Sequence, residues 1–227
     1  MKIVQATKTV ITYCVLYVLS IHALGLSSPF YETTTPPLLD VPTYSLATEA
    51  VFGNHFTSNT CMNILTYATP VSILPDRIWS IGLYKGTATH ENFAIRKEGV
   101  LQLLKPQHAP IVKLLGGSSS KEVDKAEGCK SLGFSWIKAD GNIMNTEGNV
   151  EDSSKTFPCE ILPDCAYYLK LSLVGDLIDC GNHDVALCKV ESMIVADKSN
   201  QSGEVEYLNT ALLRKMNIIS NQGRLTE

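Results

Sequence analysis

From Val41 to Val195 the apolar residues fall into short, β-branched runs joined mostly by turns, with few stretches of helical character between them. Tyr44–Val51, Met62–Tyr67, Ile78–Tyr84 and Gly99–Leu104 read as strands by length and composition, and Ala166–Ile178 and Asp184–Val195 as the two longest. Gly53-Asn54, Pro75-Asp76 and Cys180-Gly181-Asn182-His183 separate them as turns, because Gly and Asn accept positive φ and Pro ends a ladder. A parallel, doubly wound sheet needs a helix after nearly every strand, and those helices are missing. The pattern therefore predicts a mainly β fold, a closed or partly closed antiparallel barrel with a few short peripheral helices. No GxGxxG occurs, so any nicotinamide nucleotide binds by another mode than the dinucleotide fold's.

Helical signals are few. Thr87 opens a short helix running to Lys97. Pro110–Leu115 carries Pro in its first turn and stops at Gly116-Gly117. Ser119, with Glu122 three residues on, reads as the capping box of a helix ending at Gly128. Another short helix is expected near Leu212–Met216, and Lys138 to Phe157 reads as a polar excursion or a pair of weak strands.

The start of the chain is of another kind. Lys2 and Lys8 precede an uncharged run, Val10 to Leu26, and Ala23-Leu24-Gly25 offers small residues for cleavage. That is the pattern of a secretory signal peptide over 1–25. At about 1.5 Å per residue the run would barely cross a bilayer, so an uncleaved anchor fits less well. A bipartite plastid presequence continuing at Ser27-Ser28-Pro29-Phe30 is the other reading, although the next residues lack Arg and include Glu32 and Asp40. Residues 26–41 then form a linker, extended at Thr33-Thr34-Thr35-Pro36-Pro37, the folded domain spans 42–220, and 221–227 is a tail.

Charge and cysteine usage narrow the function. The chain of 227 residues has a formal charge of −4 and no dense Lys/Arg block, which argues against a nucleic-acid partner. Of seven cysteines, one (Cys14) lies in the leader and none forms a CxxC pair, so no zinc site is expected. Cys61 and Cys188 sit in apolar strands, where buried free thiols explain them more simply than disulfides do. No Ser-His-Asp order, paired catalytic carboxylates or P-loop appears.

The residues that could carry chemistry lie in Cys61–Phe93 and at Gly181–His183. After the run Met62–Tyr67 comes Ala68-Thr69-Pro70-Val71-Ser72, a small-residue loop bent at Thr69-Pro70. Small side chains let backbone N–H and C=O groups approach a flat ring; the same residues also suit an ordinary strand-turn-strand corner. After Ile78–Tyr84 come Lys85, Gly86, Thr87, Ala88, Thr89 and His90. A cation, two hydroxyls and free N–H groups at a helix start make a phosphate site, and Thr87 serves equally as an N-cap. A His in the first turn, as His90 is, more often faces solvent than a ligand.

These segments together resemble the flavin reductase-like family of FMN-binding split barrels, over roughly Pro42 to Ile219. Asn63, Ile64, Leu65, Thr66, Ala68, Thr69, Pro70, Val71 and Ser72 look like that family's flavin loop. Lys85, Thr87, Ala88, Thr89 and His90 look like its phosphate turn, and Gly181-Asn182-His183 is similar to its Gly-Asp-His turn, with Asn182 where Asp is usual. The resemblance implies FMN as cofactor, with FAD the alternative, NAD(P)H as co-substrate, hydride transfer to flavin, and a homodimer. His183 is then the candidate catalytic residue, orienting the nicotinamide or steadying the reduced flavin. A non-catalytic FMN-binding or electron-transfer protein on the same fold is the other reading, and a split barrel without flavin a weaker third.

Overall fold

β1 (Tyr44–Glu49) lies between β2 (Thr60–Leu65) and β5 (Glu98–Leu103), antiparallel to both. In this computed structural model the described residues are 32–34, 37–51, 56, 58–138, 157–195 and 205–226. The expected leader over 1–25, the Gly53-Asn54 turn and nearly all of the excursion from Lys138 to Phe157 fall outside them. Residues from Leu38 onward make up one compact unit.

The remaining strands are β3 (Ala68–Ser72), β4 (Ile78–Tyr84), β6 (Tyr167–Leu173), β7 (Ile178–Cys180) and β8 (His183–Ile194). They continue one antiparallel sheet in the order β2-β1-β5-β6-β8-β4-β3, with β7 against β8. On one side β8 pairs with β4 from His183 to Lys189; on the other it pairs with β7 from His183 to Val185 and with β6 from Cys188 to Ile194. A register shift at Lys170/Leu171 accompanies the curl of the sheet. The result is the partly closed antiparallel barrel that the strand pattern predicts, and the split barrel that the resemblance implies.

At β1 and β5 both faces of the sheet are buried. Alternation assigns the faces: Leu46 of β1 and Leu101 of β5 enter one cluster with Ile81, Phe93, Leu171 and Cys188. Their neighbours Ala47 and Val100 enter the other, with Met62, Ile111, Leu115 and Leu213. No disulfide joins the six cysteines among the described residues, and Cys61 and Cys188 are buried as expected.

α1 (Ala88–Arg96) has Thr87 as N-cap, its hydroxyl accepting from His90 N at 3.2 Å, and ends at Lys97 in left-handed geometry (φ 59°). Phe93 carries it into the first cluster. A 3-10 turn (Pro106–Ile111) leads into α2 (Val112–Gly117), so the expected Pro110–Leu115 helix is divided between the two. α4 (Thr210–Lys215) lies at the expected place. No helix among the described residues is long and apolar enough to cross a membrane.

Three expectations need correcting. Ala68–Ser72 is not a loop but the edge strand β3, pairing Ala68 with Ile81 and Pro70 with Trp79. Pro70 is tolerated because an edge strand has one unpaired side, and the ladder shifts between Pro70 and Ser72. The run Ala166–Ile178 is two strands, broken where Gly175 takes a φ of 73° that no extended strand holds. The helix expected from Ser119 to Gly128 is a turn followed by α3 (Lys125–Ser131). Asp124 is its cap, a charged acceptor 3.0 Å from Glu127 N, whereas Ser119 Oγ caps only the turn through Lys121 N.

Candidate functional site

The end of β2, the end of β4, the start of α1 and the start of β8 converge on one cavity of about 120 Å³. β2 and its exit supply Asn63 to Tyr67, β4 supplies Gly82 to Tyr84, α1 supplies Thr87, Thr89 and His90, and β8 supplies His183. The register Tyr84↔His183 puts the turn after β4 beside the turn before β8. Lys85 N donates to Asn182 O at 3.1 Å and ties the two turns together. A larger cavity of about 430 Å³ adjoins the first, sharing Ile64 to Tyr67, Tyr84 and His183 and reaching Arg224 near the end of the chain.

His183 stands where the two cavities meet. Its ring meets Tyr67 edge-on at 5.5 Å between centroids and Tyr84 at 5.1 Å. Nδ1–H donates to Asn182 Oδ1 at 2.8 Å, which leaves Nε2 as the open ring nitrogen. Asn182, which stands where the resembling family has Asp, therefore sets the tautomer of this ring.

The turn before α1 is charged in a way the sequence hides. Lys85 Nζ lies 2.8 Å from Asp179 Oδ2 and 3.2 Å from Asp184 Oδ1, while His90 Nε2 lies 2.8 Å from Asp184 Oδ2. The His90 hydrogen bond, then Lys85, holds the Asp184 carboxyl below the usual carboxylate range; Lys85, then the Gly181 N–H, does the same for Asp179. The Asp179 contact in turn raises the Lys85 ammonium. With Nε2–H given to Asp184, the Nδ1 of a neutral His90 is an acceptor, buried and without a partner among the described residues.

Of the candidate residues, Asn63, Ile64, Leu65, Thr66, Thr87, Thr89, His90 and His183 line the first cavity. Ala88 lies within α1 without lining either cavity, and Lys85 has its ammonium on two carboxylates. Ala68, Thr69, Pro70, Val71 and Ser72 run along β3 and line neither cavity, with Thr69, Pro70 and Val71 exposed. The backbone that lines the cavity is thus the stretch before the Thr69-Pro70 bend rather than the bend itself. Tyr67, Tyr84, Asp179, Asp184 and Arg224 are the residues that motif reading does not single out. Tyr84 has a local signal, since it closes a strand immediately before the basic turn. Arg224 has none.

No family model and no curated protein matches the sequence. Solved structures do match in fold. Flavoredoxin from Methanosarcina acetivorans is 12% identical over 88% of this chain and 82% of its own, with a TM-score of 0.54. An FMN-binding protein from Thermus thermophilus, solved with bound 1-cyclohex-2-enone, is 12% identical over 87% and 86%, with a TM-score of 0.52. Nitrilotriacetate monooxygenase component B from Mycobacterium thermoresistibile is 14% identical over 71% and 72%, with a TM-score of 0.50. At these identities the shared property is the fold: this chain has the architecture of the flavin-binding split barrels.

Proposed function

We propose that the chain is a flavin-dependent oxidoreductase that takes hydride from NAD(P)H onto FMN held in the joined cavities. The observation that carries this is the single cavity lined by both the Asn63–Tyr67 backbone and the start of α1, with His183 at its junction to a second space. Together the two cavities fall in the size range of small-molecule sites. The residues present fit the cofactor: the partnerless His90 Nδ1 needs a hydrogen-bond donor, and the ribityl hydroxyls and ring N3–H of a flavin are donors. Bound FMN would supply the two-electron chemistry that no side chain here offers. Val71, Ile73 and Leu74 stand 59%, 69% and 82% exposed at the β3 edge, which suits a homodimer.

Asn63 to Thr66 would offer backbone groups to the ring edge. Thr87 and Thr89, with the N–H groups opening α1, would hold the phosphate. Lys85 offsets Asp179 and Asp184, two acids that would otherwise repel a phosphate. Lys85→Glu leaves three carboxylates there. FMN is then expected to bind about tenfold more weakly or worse, and riboflavin nearly as before, in fluorescence titrations. Equal weakening of both ligands would remove the phosphate from this turn. Denaturing the purified protein and weighing the released cofactor tests the reading as a whole.

His183 would orient the nicotinamide rather than hold the flavin. His183→Ala is expected to keep its yellow colour while anaerobic bleaching by NAD(P)H in stopped flow slows about tenfold. An unchanged rate would put His183 outside the reaction. The second reading, an electron carrier that does not use NAD(P)H, draws on the two tyrosine edges already packed around that ring. Such a protein would hold FMN and fail to bleach.

A further inference from the structure

The larger cavity is walled on one side by the last residues of the chain. Ile219 and Leu225 form an antiparallel bridge, Ser220 N donates to Arg224 O at 2.7 Å, and Thr226 N donates to Ile218 O at 3.0 Å. Residues 221–226, expected as a tail, therefore fold back as an arm. The arm is anchored on both sides of its turn. Ile219 is buried, and Leu225 packs against the same core cluster. A Cβ on Gly117 would stand 3.0 Å from Leu225 Cδ1, so the Gly116-Gly117 pair leaves the room that Leu225 occupies. Between the anchors, Gln222, Gly223 and Arg224 face the cavity.

Arg224 differs from Lys85 in its partners. Its backbone N–H donates to Ser220 Oγ at 3.3 Å, but its guanidinium has no hydrogen-bond or ion-pair partner among the described residues. It is the one Lys or Arg among the described residues lining either cavity, and no Asp or Glu lines them. Lys85 is the nearest rival, and two carboxylates share its charge. Arg224 is exposed, and the lining of the larger cavity thus includes an always charged fork of donors paired with no side chain among the described residues, a shape that matches the oxygens of a phosphate ester.

The geometry points to Arg224, carried on the C-terminal arm, as an anion subsite for a nucleotide phosphate in the larger cavity. The identity of the nucleotide rests on the flavin reading above. In that reading the FMN phosphate has its place at the start of α1, so the phosphate that arrives here is the pyrophosphate of a nicotinamide dinucleotide entering over His183.

Arg224→Met, which keeps the stem and removes the charge, separates the cases in the full chain. Dissociation constants for FMN and riboflavin are read by fluorescence quenching, and KM for NADH and NADPH from anaerobic flavin reduction. A tenfold or greater loss for FMN with riboflavin unchanged instead puts the flavin phosphate at Arg224 and overturns both the dinucleotide subsite and the phosphate site at α1. A tenfold or greater rise in KM for NADH or NADPH with FMN unchanged places the dinucleotide there. Arg224→Lys is expected to recover part of whichever loss appears, and Arg224→Gln repeats the test should the Met variant be unstable. A charge-free variant that matches wild type in FMN affinity and in both KM values overturns the subsite while the flavin reading stands. Wild-type protein that binds neither FMN nor riboflavin overturns both.

Discussion

Phe93→Ala is expected to cost about 3–5 kcal/mol of folding stability, the usual result of emptying a buried aromatic site. Phe93 is 0% exposed and sits in one cluster with Tyr44, Leu46, Ile81, Leu101 and Leu171. It is the largest buried side chain that α1 contributes, and a helix of nine residues has little stability of its own. The helix starts at Thr87, so undocking it also dissolves the wall formed by Thr87, Thr89 and His90. Urea denaturation followed by circular dichroism gives the stability loss, and flavin titration the loss of the site. Phe93→Leu should cost less, roughly 1–1.5 kcal/mol, because most of the volume is kept. A loss below about 1 kcal/mol for the alanine variant would mean that α1 does not depend on this contact.

The second large effect is a pH dependence centred on Lys125. This side chain is 4% exposed, and its ammonium donates to Met62 O at 3.0 Å and Leu115 O at 2.6 Å, joining β2 to α2. Burial pulls its pKa down to about 8. An unfolded lysine titrates near 10.4, so between the two values the unfolded chain binds more protons. Stability contributed by this group therefore rises as pH climbs from about 8 to about 10.4 and is flat below, by roughly 3 kcal/mol in all. The buried thiols act in the opposite sense. Burial raises Cys129 to about 11 and Cys188 to about 12, so both favour the folded state below about pH 9 and lose that advantage above it. The difference between wild type and Lys125→Met isolates the lysine. At pH 7 the variant is expected within about 1–2 kcal/mol of wild type, since relief of the buried charge offsets two carbonyls left unpaired. By pH 10 it should have fallen behind by a further 2–3 kcal/mol. Parallel profiles in denaturant melts at pH 7, 8.5 and 10 would show that Lys125 does not titrate in this range.

What the sequence discloses and what it hides divide along physical lines. Ile78–Tyr84 and the helix from Thr87 to Lys97 are legible to the residue, because an apolar run and a cap-to-cap helix are local patterns. Ala68–Ser72 misleads, because Pro70 argues against a strand unless the strand is known to be at an edge, and edge position is a property of the assembled sheet. Ser119 and Asp124 both satisfy the rules for a helix start, and the contest falls to the charged acceptor. The site divides in the same way. Asn63–Thr66, Thr87, Thr89 and His90 are recoverable from motif order. The ion pairs of Lys85 with Asp179 and Asp184 join residues far apart in sequence, and Arg224 reaches the cavity only through an arm fixed by Leu225 against Gly117.

β8 joins the two halves of the sheet on one beam. Its partners change along its length: β4 lies against it from His183 to Lys189, and β6 takes hold only from Cys188 onward. Cys188 and Lys189 are the pair held by both neighbours, a splice where two half-sheets overlap. His183 projects from the far tip of the same beam, about 17 Å from that splice at the usual strand rise. Widening the splice by a single bulky side chain would tilt the tip, and with it the ring between Tyr67 and Tyr84, without altering any residue that lines either cavity. Variants that shift the His183 ring are therefore expected to include substitutions at the buried Cys188, which a scan confined to the cavity walls would miss.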